Sequence, residues 1–298
     1  MRENELIKHV RAQVTDPAET LGIGDDCCVW SPRGPTCLST DTVVEGRHFR
    51  ANDAADAIGG KAAGAALSDI AAMGARPVGA VVALSCPSRW DAPAIMDGIL
   101  AVLKKYDCPL LGGDTTGGEE LVITVTVWGE AVAGAHGTKR FVTRSGAQAG
   151  DLLVVTGPLG GSLASGRHLR PIPRFAEGQW LAACPYVHAM MDLSDGLAAD
   201  AAKLATASGC GFLLLPDQVP IHDDVPELSD QTKAACCDGE DFELLVAVAP
   251  EQWPTMQLAW PFSQRLHTIG WLVDEIGAFM ENRSGRIVPL PWTGFEHQ

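Results

Sequence analysis

The chain has no apolar stretch approaching the roughly 18 residues that a membrane-spanning helix needs, and no basic run longer than two residues. The first absence argues against a transmembrane helix. The N-terminal segment Met1-Arg2-Glu3-Asn4-Glu5 leads into no signal-peptide apolar core, so a cytoplasmic protein is expected, with no membrane partner. The second absence disfavours nucleic acid as a partner, because phosphate contacts need clustered Lys and Arg. The 22 Lys and Arg face 37 Asp and Glu, a formal charge of −15. Also missing are a GxxxxGK[ST] phosphate loop and a kinase-type glycine-rich loop with its catalytic set. The nine cysteines include no CxxC, and their odd number in a long chain does not suit a disulfide framework. Cys27-Cys28 and Cys236-Cys237 are adjacent pairs, unsuited to a zinc site. Buried or half-buried thiols are the expected reading.

What is present is an ordinary globular composition: 298 residues, 46% apolar and 20% charged, enough for two domains of usual size. Residues 54–73 read as a helix with Gly74 as its stop, and 91–106 as a second. Val78–Leu84 is a short apolar run ended by Cys86-Pro87, and Leu121–Trp128 alternates as a half-buried strand does. Ser145–Gly150 is a small-residue joint before a strand at Leu152–Val155. Beyond it, Val187–Met191, Phe212–Leu215, Phe242–Val248 and Leu266–Trp271 read as strands, with a helix over Gly196–Ala207. Two α/β domains are expected, residues 1–147 and 148–298.

The acidic residues of interest recur beside glycines and hydroxyls, in segments read as strand ends or turns. They are Gly22-Ile23-Gly24-Asp25-Asp26, Leu38-Ser39-Thr40-Asp41-Thr42, Leu67-Ser68-Asp69, Gly112-Gly113-Asp114-Thr115-Thr116, Asp192-Leu193-Ser194-Asp195-Gly196 and Gly239-Glu240-Asp241. Mg²⁺ takes oxygen ligands and leaves positions for water and phosphates, and it lets an acidic protein bind a nucleotide without many lysines. Each segment has a plainer reading. A lone Gly-Asp-Asp is more often a turn or cap than a ligand. Ser39–Thr42 could be an Asx-type turn, Asp69 a solvated helix residue, and Asp192–Asp195 an N-cap. Thr156-Gly157-Pro158-Leu159-Gly160-Gly161-Ser162 follows a strand and could cradle phosphate, though such a segment is more often only a loop.

The order of these strings resembles the thiamine-monophosphate kinase family. Gly46-Arg47-His48-Phe49, Leu67 to Ala75, Thr143-Arg144-Ser145-Gly146, His168-Leu169-Arg170-Pro171, Gly239–Leu244 and the closing Trp292–His297 carry the resemblance with the aspartate segments. It runs over essentially the whole chain. It implies the α/β two-domain fold of aminoimidazole-ribonucleotide synthetase and its relatives, with the N-terminal domain binding metal and ATP and pairing in a homodimer, and the C-terminal domain covering the nucleotide cleft. It implies phosphorylation of thiamine monophosphate by ATP with several Mg²⁺ ions. The implied metal ligands are Asp26, Ser39, Thr40, Asp41, Asp69, Asp114, Asp192 and Asp195. Tyr106, Gly113, Asp114, Arg144 and Ser194 are the implied ATP contacts, and His48, Glu240 and Phe295 the implied contacts to the thiamine end. No side chain is implied as nucleophile or base. Ordinary roles remain open for His48 on the surface, for Tyr106 at a helix end and for Phe295 as a packed tail residue. Two departures stand out: a helical stretch of the family is nearly absent between Gly166 and Arg167, and Ala66 stands where the family often has asparagine. The rival readings are another ATP-dependent synthetase of the same superfamily and a non-catalytic nucleotide-binding homologue.

Overall fold

The computed structural model describes residues 3–18, 20–24, 26–133 and 139–294. The chain divides into two compact units. The first holds Met1–Ile70, Ala75–Ala131 and Leu169–Pro173, and the second holds Ala71–Gly74, Val132–His168 and Arg174–Gln298. The Ser145–Gly150 joint therefore lies inside the second unit. Among the described residues no helix is long and apolar enough to cross a membrane.

In the first unit the order is α1 (Glu3–Arg11), β1 (Thr36–Val44), α2 (Ala55–Ala72), β2 (Ala75–Ser85), α3 (Ala92–Lys105), β3 (Leu110–Thr116) and β4 (Val122–Ala131). The strands form one sheet in the order β1-β4-β2-β3, with only the β2–β3 pair parallel. Helix α3 has a capped start: Asp91 accepts a hydrogen bond from the Ala94 N–H at 3.3 Å and a proline occupies the first turn. Lys104 and Lys105 stand at its C-terminal end, the end that favours positive charge. Alternate residues of β4, Ile123, Val125 and Val127, are fully buried, as are Ile58, Ala62 and Ala66 of α2 and Ile95 and Ile99 of α3. Ala66 is thus a core residue here.

The opposite face of this sheet is open. Leu38 is 69% exposed, and Thr40 and Thr42 of β1 pair through their hydroxyls with Thr126 and Thr124 of β4, each at 2.9 Å. A strand buried on one face only, carrying Ser, Thr and Asp, lacks the apolar run that marks a strand in sequence. Ser39–Thr42, for which the sequence left an Asx-type turn open, lies in the middle of β1.

The second unit contains β5 (Leu152–Val155), α4 (Ser162–Ser165), α5 (Phe175–Ala183), β6 (Val187–Asp192), α6 (Leu197–Ser208), β7 (Gly211–Leu214), α7 (Gln231–Cys237), β8 (Leu244–Val248), α8 (Trp253–Ala259), β9 (His267–Val273), β10 (Ala278–Glu281) and β11 (Ile287–Pro289). Its seven strands run in the order β11-β10-β7-β9-β5-β8-β6, with only β10 and β7 parallel. Every residue of β8 is buried, as an interior strand covered on both faces requires. One cluster packs α6 against the sheet through Leu197, Ala201, Leu204, Leu245 and Ile269. The other face carries Leu181 of α5 with Leu244, Val246 and Val248.

Candidate active site

In the first unit, Ser39 and Asp41 stand two residues apart on β1 and so share a face. Their register partners on β4 are Val127 and Val125, both fully buried, so this is the helix-covered face. Helix α2 brings Asp69 to the same place: the Ser39 hydroxyl donates to the Asp69 carboxylate. Thr40 points the other way, its hydroxyl paired with Thr126 on the open face. Only its backbone could join Ser39 and Asp41. Asp26 is exposed in the loop closed by the reciprocal 2.9 Å backbone hydrogen bonds of Leu21 and Val29.

Gly113 and Asp114 lie on β3, at the opposite edge of the sheet from β1. Three strand spacings of about 4.8 Å separate the two edges. Asp114 pairs in register with Ala83, which alternates with buried Val82 and Leu84, so Asp114 sits on the open face. Gly113 is required by close approach: a Cβ there would lie 2.1 Å from the Val82 carbonyl oxygen. Tyr106 caps the C-terminus of α3, before β3 begins, with Lys105 Nζ 5.1 Å from its ring centre. The chain thus places Tyr106 at the far end of β3 from Asp114. His48 is half-buried in the turn after β1, where its Nδ1 accepts from the Val44 N–H at 3.0 Å. The neutral ring therefore carries its proton on Nε2.

In the second unit the Asp192–Gly196 segment joins β6 to α6. Asp192 is buried at the strand end. The expected side-chain N-cap is absent: the N-cap residue is Gly196, with no side-chain cap bond. Asp200, fully buried one turn into α6, reaches back to the backbone N–H groups of Ser194 at 2.9 Å and Asp195 at 3.0 Å. Lys203 then donates to Asp200 at 2.8 Å and to the Asp195 carboxylate. Burial raises the Asp200 carboxyl's pKa, against the opposing pull of Lys203 and the N–H donors. Burial pulls the Lys203 ammonium down, but its hydrogen bonds to the two carboxylates hold it above the ordinary value.

The Gly239–Glu243 segment is zipped to this loop. Glu240 N–H donates to the Ser194 carbonyl at 2.7 Å, Phe242 N–H to Leu193 at 2.8 Å, and Leu193 N–H to Glu243 at 2.8 Å. Glu240 and Phe242 have positive φ, 54° and 53°, a conformation that non-glycine residues hold only under constraint. The C-terminal segment arrives at the same loop. A Cβ on Gly294 would lie 2.4 Å from the Asp195 carbonyl oxygen, so glycine is required there. Phe295, the next residue, lies outside the described residues. Arg144 is exposed, and its carbonyl accepts from Ser208 Oγ at 3.0 Å.

The loop Thr156–Ser162 is not an open phosphate cradle. Gly160 N–H donates to Asp241 at 3.0 and 3.1 Å, and Gly161 N–H to Asp238 at 2.9 Å. Two of its amides are already committed to carboxylates. Arg167 closes the shortened segment after Gly166 by donating to Asp224 at 2.9 Å, to the Gly160 carbonyl at 2.8 Å and to Asp241 at 3.0 Å. Burial pushes the Asp241 carboxyl up to about 7, with Arg167 pulling against it.

Residues 24–131 match the family AIR synthase related protein, N-terminal domain. The chain is 37% identical to thiamine-monophosphate kinase of Salmonella typhimurium, with 93% of this chain and 91% of that protein covered. The chain belongs to the thiamine-monophosphate kinase family. Its fold of mixed helices and sheets is the one that solved members of this family have. The crystal structure of thiamine-monophosphate kinase from Stenotrophomonas maltophilia covers 94% of this chain and 97% of its own, with a TM-score of 0.81 and 32% identity. The structure of AaThiL complexed with AMPPCP and TMP covers 84% of each chain, with a TM-score of 0.72 and 29% identity. Asp200, Lys203, Asp238 and Arg167 carry no signal in the sequence, because their roles depend on partners that only the fold brings to them.

Proposed function

We propose that this chain transfers the γ-phosphoryl group of ATP to thiamine monophosphate, giving ADP and thiamine diphosphate. The observation that carries the reading is its likeness over 84% of the chain to a kinase complexed with AMPPCP and TMP. The attacking phosphate oxygen is already ionised at neutral pH, so no strong general base is needed, and the protein's work is positioning and charge neutralisation.

The donor set fits Mg²⁺. Ser39, Asp41 and Asp69 offer only oxygen, the chemistry a hard cation takes. Among the described residues no three His, Cys, Asp or Glu side chains are grouped to hold a metal by themselves. An ion held by these two carboxylates and the hydroxyl would leave the rest of its shell to phosphates and water. In this reading Asp26, Asp114, Asp192 and Asp195 hold further ions, and Thr40 contributes through its backbone. Bound Mg²⁺ would neutralise phosphate charge and polarise the transferred group. Ser39 orients Asp69, and Asp200 fixes the backbone of Ser194 and Asp195. Gly113, Arg144, Ser194 and Tyr106 serve ATP. His48, with Nε2–H as its donor, Glu240, carried on the strained Gly239–Phe242 segment, and Phe295 serve the thiamine end.

The open face of the first unit's sheet supports a homodimer. It exposes Leu38 beside the threonine ladder, and Asp114 shares that face. Pairing two such faces would bring Asp114 to the interface. The reaction belongs in the cytoplasm, where ATP is available. One assay tests the function: purified protein with ATP, Mg²⁺ and thiamine monophosphate, followed for thiamine diphosphate by chromatography. Turnover with Mg²⁺ and none in EDTA is the expected result.

A further inference from the structure

We infer that Lys203 is a resident counter-cation of the Asp192–Gly196 loop: it holds Asp195 in place when no divalent ion is bound, and it weakens the grip of Asp195 on that ion. The inference rests on the reading of Asp195 as a metal ligand. Three observations carry it. The Lys203 ammonium bridges Asp195 and Asp200, at 2.8 Å from the latter. Asp200 is fully buried and spends its second oxygen on the Ser194 and Asp195 amides, so it is fixed and acts as the anchor. Asp195 is the partner with freedom to respond, since its side chain is 24% exposed against 0% for Asp200.

The consequence follows from charge. A carboxylate already shared with an ammonium is a poorer ligand, and a unit positive charge a few ångströms from a divalent ion repels it. With metal and nucleotide phosphates absent, the same ammonium offsets the repulsion between Asp195 and Asp200 and keeps the loop from opening. Lys203 thus exchanges some affinity for metal against order of the metal-free loop. Arginine at this position would keep the charge. Methionine would keep most of the length and remove it.

The test uses the whole chain and Mn²⁺ as the probe, with free Mn²⁺ measured by electron paramagnetic resonance in the absence of nucleotide. Lys203→Met should bind the Asp195-dependent Mn²⁺ about tenfold more tightly than the natural chain, the order expected from removing one nearby unit charge under partial screening. Lys203→Arg should bind it as the natural chain does. Melting should show the complement: Lys203→Met melts lower without metal and gains more from added Mn²⁺. Adding Asp195→Asn should abolish the gain in affinity. If Lys203→Met binds no more tightly while Asp195→Asn still weakens binding, the counter-cation proposal is overturned and the metal reading stands. If Asp195→Asn changes nothing in either background, Asp195 is not a ligand, and both fail. A Lys203→Met chain that does not fold leaves Lys203→Gln to decide by the same measurement.

Discussion

Ser39 donates its hydroxyl proton to the Asp69 carboxylate, joining edge strand β1 to helix α2 across 30 residues of sequence. The contact fixes one carboxylate oxygen and leaves the other directed by a side chain that can no longer rotate freely. A ligand held this way needs little reorganisation when a cation and phosphates arrive.

Ser39→Ala should remove both a hydroxyl ligand and the contact that orients Asp69, while leaving the Asp69 carboxylate itself in place. Loss of one side-chain hydrogen bond costs stability about 1 kcal/mol, and activity should fall by at least roughly tenfold, the lower bound set by losing an orienting partner alone. Asp69→Asn should lower activity at least a further tenfold at saturating Mg²⁺. Steady-state assays across a Mg²⁺ titration check both, and equal effects of the two substitutions would count against a ligand role for Asp69.

The open sheet face predicts its own mutation. Leu38→Glu places a charge on a side chain that is 69% exposed in the single chain, so the isolated unit should tolerate it with less than about 0.5 kcal/mol change. In a homodimer closed through this face the same charge would be buried against its own copy, and the dimer should dissociate. Light scattering at micromolar concentration reads the outcome. A natural chain that is monomeric there, or a Leu38→Glu dimer of unchanged stability, would count against the face.

Asp241 makes a pH prediction. Its carboxyl is pushed up to about 7 by burial, against the pull of Arg167 and the Gly160 N–H, with the nearby Glu243 charge adding to the rise. In the unfolded chain it titrates near the usual carboxylate range. Between about pH 4 and 7 the folded state therefore holds a proton that the unfolded state has lost. Asp241 thus erodes stability as pH rises through that window, and the full cost, on the order of a few kcal/mol, is present above it. Asp241→Asn cannot titrate, so its stability relative to the natural chain should improve as pH rises from 4 to 7. Urea unfolding at several pH values measures the difference, and a constant offset would show that Asp241 titrates alike in both states.

How much of this was legible in the sequence depended on where each group's partner lies. Helices α2 and α3 and strand β5 stand at or within two residues of their expected positions because their apolar patterns are local and bounded by glycine, proline or polar residues. Strand β1 was not legible, since only Val43 of its nine residues is fully buried and its hydroxyls and Asp41 are equally compatible with a turn. The Asp192–Gly196 segment looked like a cap because capping residues precede a helix there, yet the cap comes backwards from Asp200. The glycines of Thr156–Ser162 are compatible with a phosphate cradle as well as with the plain loop favoured for such a segment, and the carboxylates that take their amides, Asp238 and Asp241, lie 77 and 81 residues further on. No local pattern encodes that.

Asp41 allows chemistry and folding to be separated. Asp41→Asn preserves shape and hydrogen-bonding capacity on β1 while removing one charge from the face shared with Ser39 and Asp69. If Asp41 holds Mg²⁺ at the phosphates, losing it should lower the rate at least a hundredfold, at roughly 1.4 kcal/mol per decade. The metal-free protein should then melt no lower than the natural chain, and somewhat higher if relief of like-charge repulsion outweighs the lost contacts. A purely architectural Asp41 requires the opposite pairing, because a strand residue lost from its place weakens the fold while each folded molecule still turns over. The two quantities to compare are the melting temperature in EDTA and the activity per folded enzyme at saturating Mg²⁺. A variant that melts several degrees lower yet turns over at the natural rate would remove Asp41 from the metal site, and with it the pairing of Ser39 and Asp69 would have to be explained as packing alone.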